Sequence, residues 1–196
     1  MLLFTPGNPV AMSATGLAWL GMVIPMATAR MRSAREKSAV AQRDNKSVFG
    51  IALQGVGVWL TWAGPFRFSW PATPTIWIAA VLPALVAFLS VGLFIWSQRT
   101  MGLNWSLVAR TRGDHSLVQS GPFAVMRNPI YVALFGMMVA TAISLGHTLN
   151  LVVSIPIYIT GTMMRVMIEE KLLRATFGTA YDVYTRRVKR FIPAIW

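Results

Sequence analysis

Cysteine is absent from this 196-residue chain, which excludes disulfides, thiol catalysis and zinc–thiolate sites. Charge is scarce too. Only 12% of residues are charged, against roughly a quarter in a soluble domain. Six residues are acidic and two are histidine, so little is available for acid–base or metal chemistry. The sequence contains no Ser-His-Asp arrangement, no P-loop and no G-x-G-x-x-G.

What fills the chain instead is apolar sequence. Hydrophobic residues make up 55% of it, and the mean hydropathy is +0.56. Five runs are candidate membrane spans, at 11–29, 48–64, 75–97, 130–146 and 148–168. A bilayer core of roughly 30 Å calls for about 20 apolar residues per helix, so the second and fourth runs are short. Gly146-His147 alone divides the fourth run from the fifth, which predicts a tight antiparallel hairpin. Met26-Ala-Thr-Ala29 has the form of a signal-peptidase site, but no basic region precedes it, and 11–29 is read as a retained helix.

The net charge of +12 is unevenly spread. Arg30, Arg32, Arg35, Lys37, Arg43 and Lys46 lie between the first and second runs. Arg99, Arg110, Arg112 and Arg127 lie between the third and fourth, and a third basic group follows the fifth, from Lys171 to Arg190. Only Arg67 falls on the opposite side. The positive-inside rule then gives an all-α, five-span topology with the N-terminus outside and the C-terminus in the cytoplasm. His115 and His147 fall on opposite sides of the membrane, which argues against a shared metal site. The basic residues flank spans instead of forming an aromatic-interleaved surface, so they indicate anionic lipid headgroups and not nucleic acid.

Two segments outside the runs look organised, 98–129 and 165–193. Leu173, Phe177, Tyr181, Tyr184 and Val188 recur every three or four residues, the stripe of one amphipathic helix. Gly178 lies within that stripe, at a cost of about 1 kcal/mol relative to alanine. Arg165 closes an uncharged stretch, and Glu169 stands at i+4 on the same helical face. Such a pair either snorkels to the headgroups at a helix end or lines a ligand cavity. Pro129 suits a first helical position, and Asn128 before it suits an N-cap.

The order of these pieces resembles a known family. His115-Ser-Leu-Val118, Gly121-Pro-Phe123 and Arg127-Asn-Pro-Ile-Tyr131 precede a hydrophobic hairpin. Arg165-x-x-x-Glu169-Glu170, "FGTAYDVY" and "VKRFIP" follow it. Over residues 98–193 the chain is similar to the isoprenylcysteine carboxyl methyltransferases, in particular their compact prokaryotic members. The resemblance implies an integral-membrane enzyme using S-adenosylmethionine without a Rossmann domain or a metal. It also implies a cytoplasm-facing site in a prokaryotic inner membrane. Residues 1–97 would supply three membrane helices and the basic loop 30–46, and 98–196 the catalytic region.

By the resemblance, the cofactor is bound by His115, Ser116, Leu117, Val118, Phe123, Asn128, Pro129, Ile130, Tyr131 and Glu169. Arg165 meets a substrate carboxylate, and Arg127 joins it as a catalytic cation. The chemistry agrees: His115 and Arg127 suit the cofactor's carboxylate, Glu169 its ammonium or ribose, and Phe123 and Tyr131 its adenine or sulfonium. Two positions depart from the family pattern, Asn128 where histidine is usual and Ala133 where glycine is common. The implied reaction is O-methylation of a lipophilic carboxylate of the prenylcysteine type, with membrane lipids as neighbours. Transfer to a lipid amine or thiol, a nicotinamide-binding sterol-reductase relative and a non-catalytic scaffold are the alternatives.

Overall fold

The structure is a computed structural model that describes residues 8–35, 45–64, 76–102 and 116–192. Among these residues it is helical, with one isolated parallel bridge between Met126 and Lys189. The helices are α1 (Pro9–Arg35), α2 (Asn45–Ala63), α3 (Ile76–Met101), α4 (Pro129–Ser144), α5 (Leu151–Phe177) and α6 (Thr179–Arg187). Short 3-10 turns precede α4 at Gly121–Ala124 and α5 at Thr148–Asn150. Three stretches are long and apolar enough to cross a bilayer: Pro9–Thr28, Ala80–Met101 and Thr148–Phe177. Ser47–Ala63 and Pro129–Ser144 are apolar but shorter.

α2 and α3 carry mostly small and polar residues inward and large apolar ones outward. On α2 and its end, Ser47, Gly50, Gln54, Gly57, Thr61 and Gly64 alternate at spacings of three and four and are all buried. Phe49, Val56, Trp59 and Trp62 of the same helix are exposed. On α3 the buried set is Ala80, Pro83, Ala87, Ser90, Phe94 and Ser97, again at threes and fours. Val81, Leu82, Leu85, Phe88 and Leu89 face out. Small residues at helix contacts and bulky apolar ones outside form the pattern of a bundle solvated by lipid, where close backbone approach takes over from the hydrophobic effect.

Those stripes select the partners. α2 lies against α5, where a Cβ on Gly50 would come within 2.9 Å of Gly161 O, and one on Gly161 within 2.7 Å of Gly50 O. α3 lies against α4, with Gly136 seated on the Ser90 hydroxyl, and α1 covers both. Ala18, Met22, Ala87, Phe94, Ala133, Met137 and Ala140 form the shared core of α1, α3 and α4. Buried hydroxyls pin its far end, Thr15 to Ser144 at 2.7 Å and Trp19 Nε1 to Thr141 at 2.9 Å.

The hairpin between α4 and α5 forms as expected. Gly146 turns the chain at φ +74°, and His147 N donates to Ala142 O at 2.7 Å. The two arms nevertheless pack mainly on α3 and α2, not on each other. The two most extensive helix pairs, α2 with α5 and α3 with α4, thus each join a helix from the first half of the chain to one from the second.

The single C-terminal helix expected through 173–188 is corrected to two. Gly178 sits at φ +50°, ψ −126°, which ends α5 and starts α6. That conformation is open to glycine and strained for other residues, so the glycine breaks the helix instead of being carried within it. The stripe survives the break: Tyr181, Tyr184 and Val188 are buried together, with Leu117, Leu173 and Phe177 against them.

Candidate active site

The polypeptide ahead of α4 is held from two sides. Gly121 packs so closely on Trp96 and Thr100 of α3 that a Cβ would lie 2.8 Å from Thr100 Oγ1. From the other side, the stretch after α6 is laced to 126–128. Arg127 N donates to Lys189 O at 2.8 Å, and Asn128 N donates to Arg190 O at 3.0 Å. Tyr184 donates its hydroxyl to Phe123 O at 2.7 Å. A polar turn is thus fixed between a membrane helix and the C-terminal segment.

Asn128 occupies the N-cap position of α4, and Pro129 its first turn, as the sequence predicts. The expected side-chain cap is absent, however. Asn128 Nδ2 donates to Arg190 O at 3.2 Å. With the backbone at φ −127°, ψ 53°, the amide serves the C-terminal segment, where the part-buried Arg190 carbonyl competes for it.

The two neighbouring glutamates of α5 diverge by about 100° around the helix and serve different clusters. Glu169 Oε1 accepts from the Tyr131 hydroxyl at 2.6 Å and from Arg165 Nη2 at 3.2 Å. Arg165 is 6% exposed, lies 5.2 Å from the centroid of the Tyr131 ring and donates through Nη1 to Gln54 Oε1 at 3.3 Å. Tyr158 braces the same corner by donating to Tyr131 O at 2.9 Å. Arg165 and Glu169 do pair, but α5 runs on past them, and the guanidinium is buried instead of snorkelling at a helix end.

Glu170 is gripped by two arginines. Arg190 binds it through both oxygens at 3.0 and 2.8 Å, and Arg127 reaches Oε1 at 3.0 Å. Such fork-on-carboxylate pairs are among the stronger polar contacts. Beside this cluster burial pushes the Tyr181 hydroxyl up to about 12, with the Glu170 charge adding to it. Burial likewise pushes Tyr184 up to about 12.

The residues named from the sequence therefore separate into groups. Tyr131, Arg165 and Glu169 meet directly. Phe123 and Leu117 border the Tyr181–Tyr184 cluster, Val118 is half-buried and Ser116 is exposed. Ile130 packs against the core of α1, α3 and α4, and Ala133 is buried there too. Arg127 faces Glu170. His115 lies outside the described residues. Sequence reasoning missed Gln54, Tyr158 and Arg190. Gln54 had a legible signal, as the one amide in an apolar run and in register with glycines.

Two polar atoms bear on what the site could hold. Arg127 Nε is buried without a hydrogen-bond partner among the described residues. Glu169 keeps 27% of its side chain exposed, and its bonds among the described residues all fall on Oε1. A ligand anionic at one end and cationic at the other would supply what Arg127 Nε and Glu169 Oε2 lack. The amino-acid moiety of S-adenosylmethionine fits that description. Among the described residues no group of acidic or histidine side chains is arranged to hold a metal.

Residues 78–180 match the family model described as phospholipid methyltransferase. The chain belongs to that family. Two relatives carry the name protein-S-isoprenylcysteine O-methyltransferase. That of Schizosaccharomyces pombe is 31% identical over 114 residues, 56% of this chain and 48% of the relative. That of Tribolium castaneum is 34% identical over 102 residues, 49% of this chain and 35% of the relative. The chain thus spans half or less of the length of these relatives. The resemblance to the isoprenylcysteine carboxyl methyltransferases as a family is borne out, and the family match covers Phe123, Tyr131, Arg165 and Glu169. It begins inside α3, which leaves α1 and α2 outside it.

Proposed function

We propose that the chain is an integral-membrane, S-adenosylmethionine-dependent methyltransferase that O-methylates a lipophilic carboxylate of the prenylcysteine type. The observation that carries this reading is Arg165. It is a buried cation on the same helix face as a part-exposed carboxylate, where the uncharged first half of α5 gives way to charged residues. An ionised side chain in that place is costly unless it is paired or serves a ligand, and the carboxylate that pairs with it remains part-exposed.

When bound, the cofactor supplies an electrophilic methyl group on a sulfonium. Glu169, Arg127 and the 116–118 segment hold it, with Phe123 and Tyr131 on its apolar parts. Arg165 orients the acceptor carboxylate, which is already ionised at neutral pH and needs no base. The protein's remaining work is alignment and exclusion of water. The five apolar helices cross the bilayer with the N-terminus outside, and the site faces the cytoplasm, in a prokaryotic cell across its inner membrane. This orientation follows from the basic residues flanking the helices.

The description phospholipid methyltransferase favours a second reading, an amine acceptor on a lipid headgroup. Arg165 would repel a cationic acceptor, which favours the carboxylate. Calorimetry on the detergent-purified protein tests the cofactor half: S-adenosylmethionine and S-adenosylhomocysteine should bind the wild type and lose affinity in Glu169→Ala. Labelled methyl transfer to S-farnesylcysteine tests the acceptor half, with loss expected in Arg165→Ala at unchanged cofactor affinity. Turnover that survives Arg165→Ala would refute the carboxylate reading.

A further inference from the structure

α2 is shaped around Arg165 at two successive positions. Gly50 provides room, since a Cβ there would lie 2.7 Å from Arg165 Cγ and 3.5 Å from Cδ. One turn further on, Gln54 places its Oε1 3.3 Å from Nη1. The amide has only one workable orientation. Its Nε2 donates to Thr162 Oγ1 at 2.8 Å, and reversing it would set an N–H against a guanidinium that can only donate. Gln54 is 7% exposed and lies in a stripe otherwise made of glycine, serine and threonine. A buried amide in an apolar helix is costly unless bonded, and packing alone would be met by a smaller residue.

We propose that Gln54 is a positioning residue for the methyl acceptor. It fixes the rotation of the Arg165 guanidinium so that the fork meets a carboxylate, with Thr162 fixing Gln54 in turn. This rests on the methyltransferase reading above and deepens it. Gln54 holds Arg165 through Nη1 while Glu169 takes Nη2, so the cation is not drawn wholly onto its own helix. The acceptor end of the site then depends on α2, which the family match does not reach. α2 thereby contributes to specificity for anionic acceptors.

The test is binding to the detergent-purified full chain, saturated with S-adenosylhomocysteine, of two probes: S-farnesylcysteine and its methyl ester. The wild type should prefer the acid. Gln54→Met should weaken acid binding roughly ten- to hundredfold, as for loss of a hydrogen bond to a charged group. It should leave the ester and S-adenosylhomocysteine within about twofold, on the same arithmetic. Gln54→Glu, which sets a carboxylate against Arg165, should erase the preference for the acid altogether. Thr162→Val should shift acid binding in the same direction as Gln54→Met, and it decides the matter where the Gln54 variants do not fold. Unchanged acid preference in every folded variant overturns the proposal. So does an equal loss for acid, ester and S-adenosylhomocysteine, the signature of packing alone. A wild type that binds no S-adenosylhomocysteine refutes the methyltransferase reading itself and takes the role of Gln54 with it.

Discussion

Replacing Glu170 by glutamine should loosen the C-terminal segment more than any single surface change. The carboxylate is 10% exposed, and its partners differ, Arg127 at 12% and Arg190 at 33%. Removing one partner of a buried ion pair costs about 3–5 kcal/mol, because the other charge is stranded. The Arg190 half is more exposed and contributes only about 0–1 kcal/mol after screening. Glutamine keeps the shape and one accepting oxygen, which offsets part of the loss. A net cost of about 2–4 kcal/mol remains, which for a chain of this size lowers the melting temperature by roughly 4–16 °C. Tryptophan fluorescence on heating in detergent measures it. The control is Asp182→Asn, which breaks the exposed Arg174 pair, 2.8 Å long with partners 54% and 45% exposed. That variant should leave the midpoint close to that of the wild type, because solvent screens an exposed pair, and closer still at high salt. Protease cutting near Lys189 should rise in Glu170→Gln alone. Equal midpoints for the two variants would refute the claim that Glu170 clamps the segment.

Three further outcomes follow from geometry. Tyr181 and Tyr184 ionise near 10 when unfolded and near 12 when folded, so the folded state holds their protons more tightly. Their contribution is fully present below pH 10 and is lost as pH rises toward 12. A Tyr181→Phe, Tyr184→Phe double variant should flatten the alkaline limb of a stability–pH profile. Gly178→Ala meets no atom within 4 Å yet must adopt φ +50°, so circular dichroism melts should show a loss of about 1–3 kcal/mol with no steric cause. Gly50→Ala, by contrast, is steric, with 2.7 Å to Arg165 Cγ and 2.9 Å to Gly161 O. It should separate α2 from α5, which a cysteine cross-linking pair across those helices would detect as slower bond formation.

The parts of this architecture that were legible in the sequence are those set by local spacing. Pro129 at the head of α4 follows from proline's missing N–H and fixed φ, and the pairing of Arg165 with Glu169 from 3.6 residues per turn. So does the Leu173–Val188 stripe, even though the helix bearing it breaks. Long-range choices were not legible. Glu170 finds Arg190 across the reversal at Gly178, a turn that exists only because one residue takes a positive φ. Asn128 looks like a cap by every local rule and is drawn elsewhere by the carbonyl of Arg190. Gln54 shows its period but not its partner, since periodicity says which face is buried and never against what.

The unbroken course of α5 also sets a depth. At about 1.5 Å per residue its 27 residues extend roughly 40 Å, longer than a hydrocarbon layer of about 30 Å. Arg165 stands fourteen residues from Leu151, about 21 Å along that rod, and Glu169 about 27 Å along it. Both charges thus lie within one bilayer thickness of the first residue of α5. On the proposed reading, an acceptor with a lipid tail reaches Arg165 without leaving the bilayer. It is found by sideways diffusion in two dimensions, and the water-soluble methyl donor is the reactant that must come down to meet it.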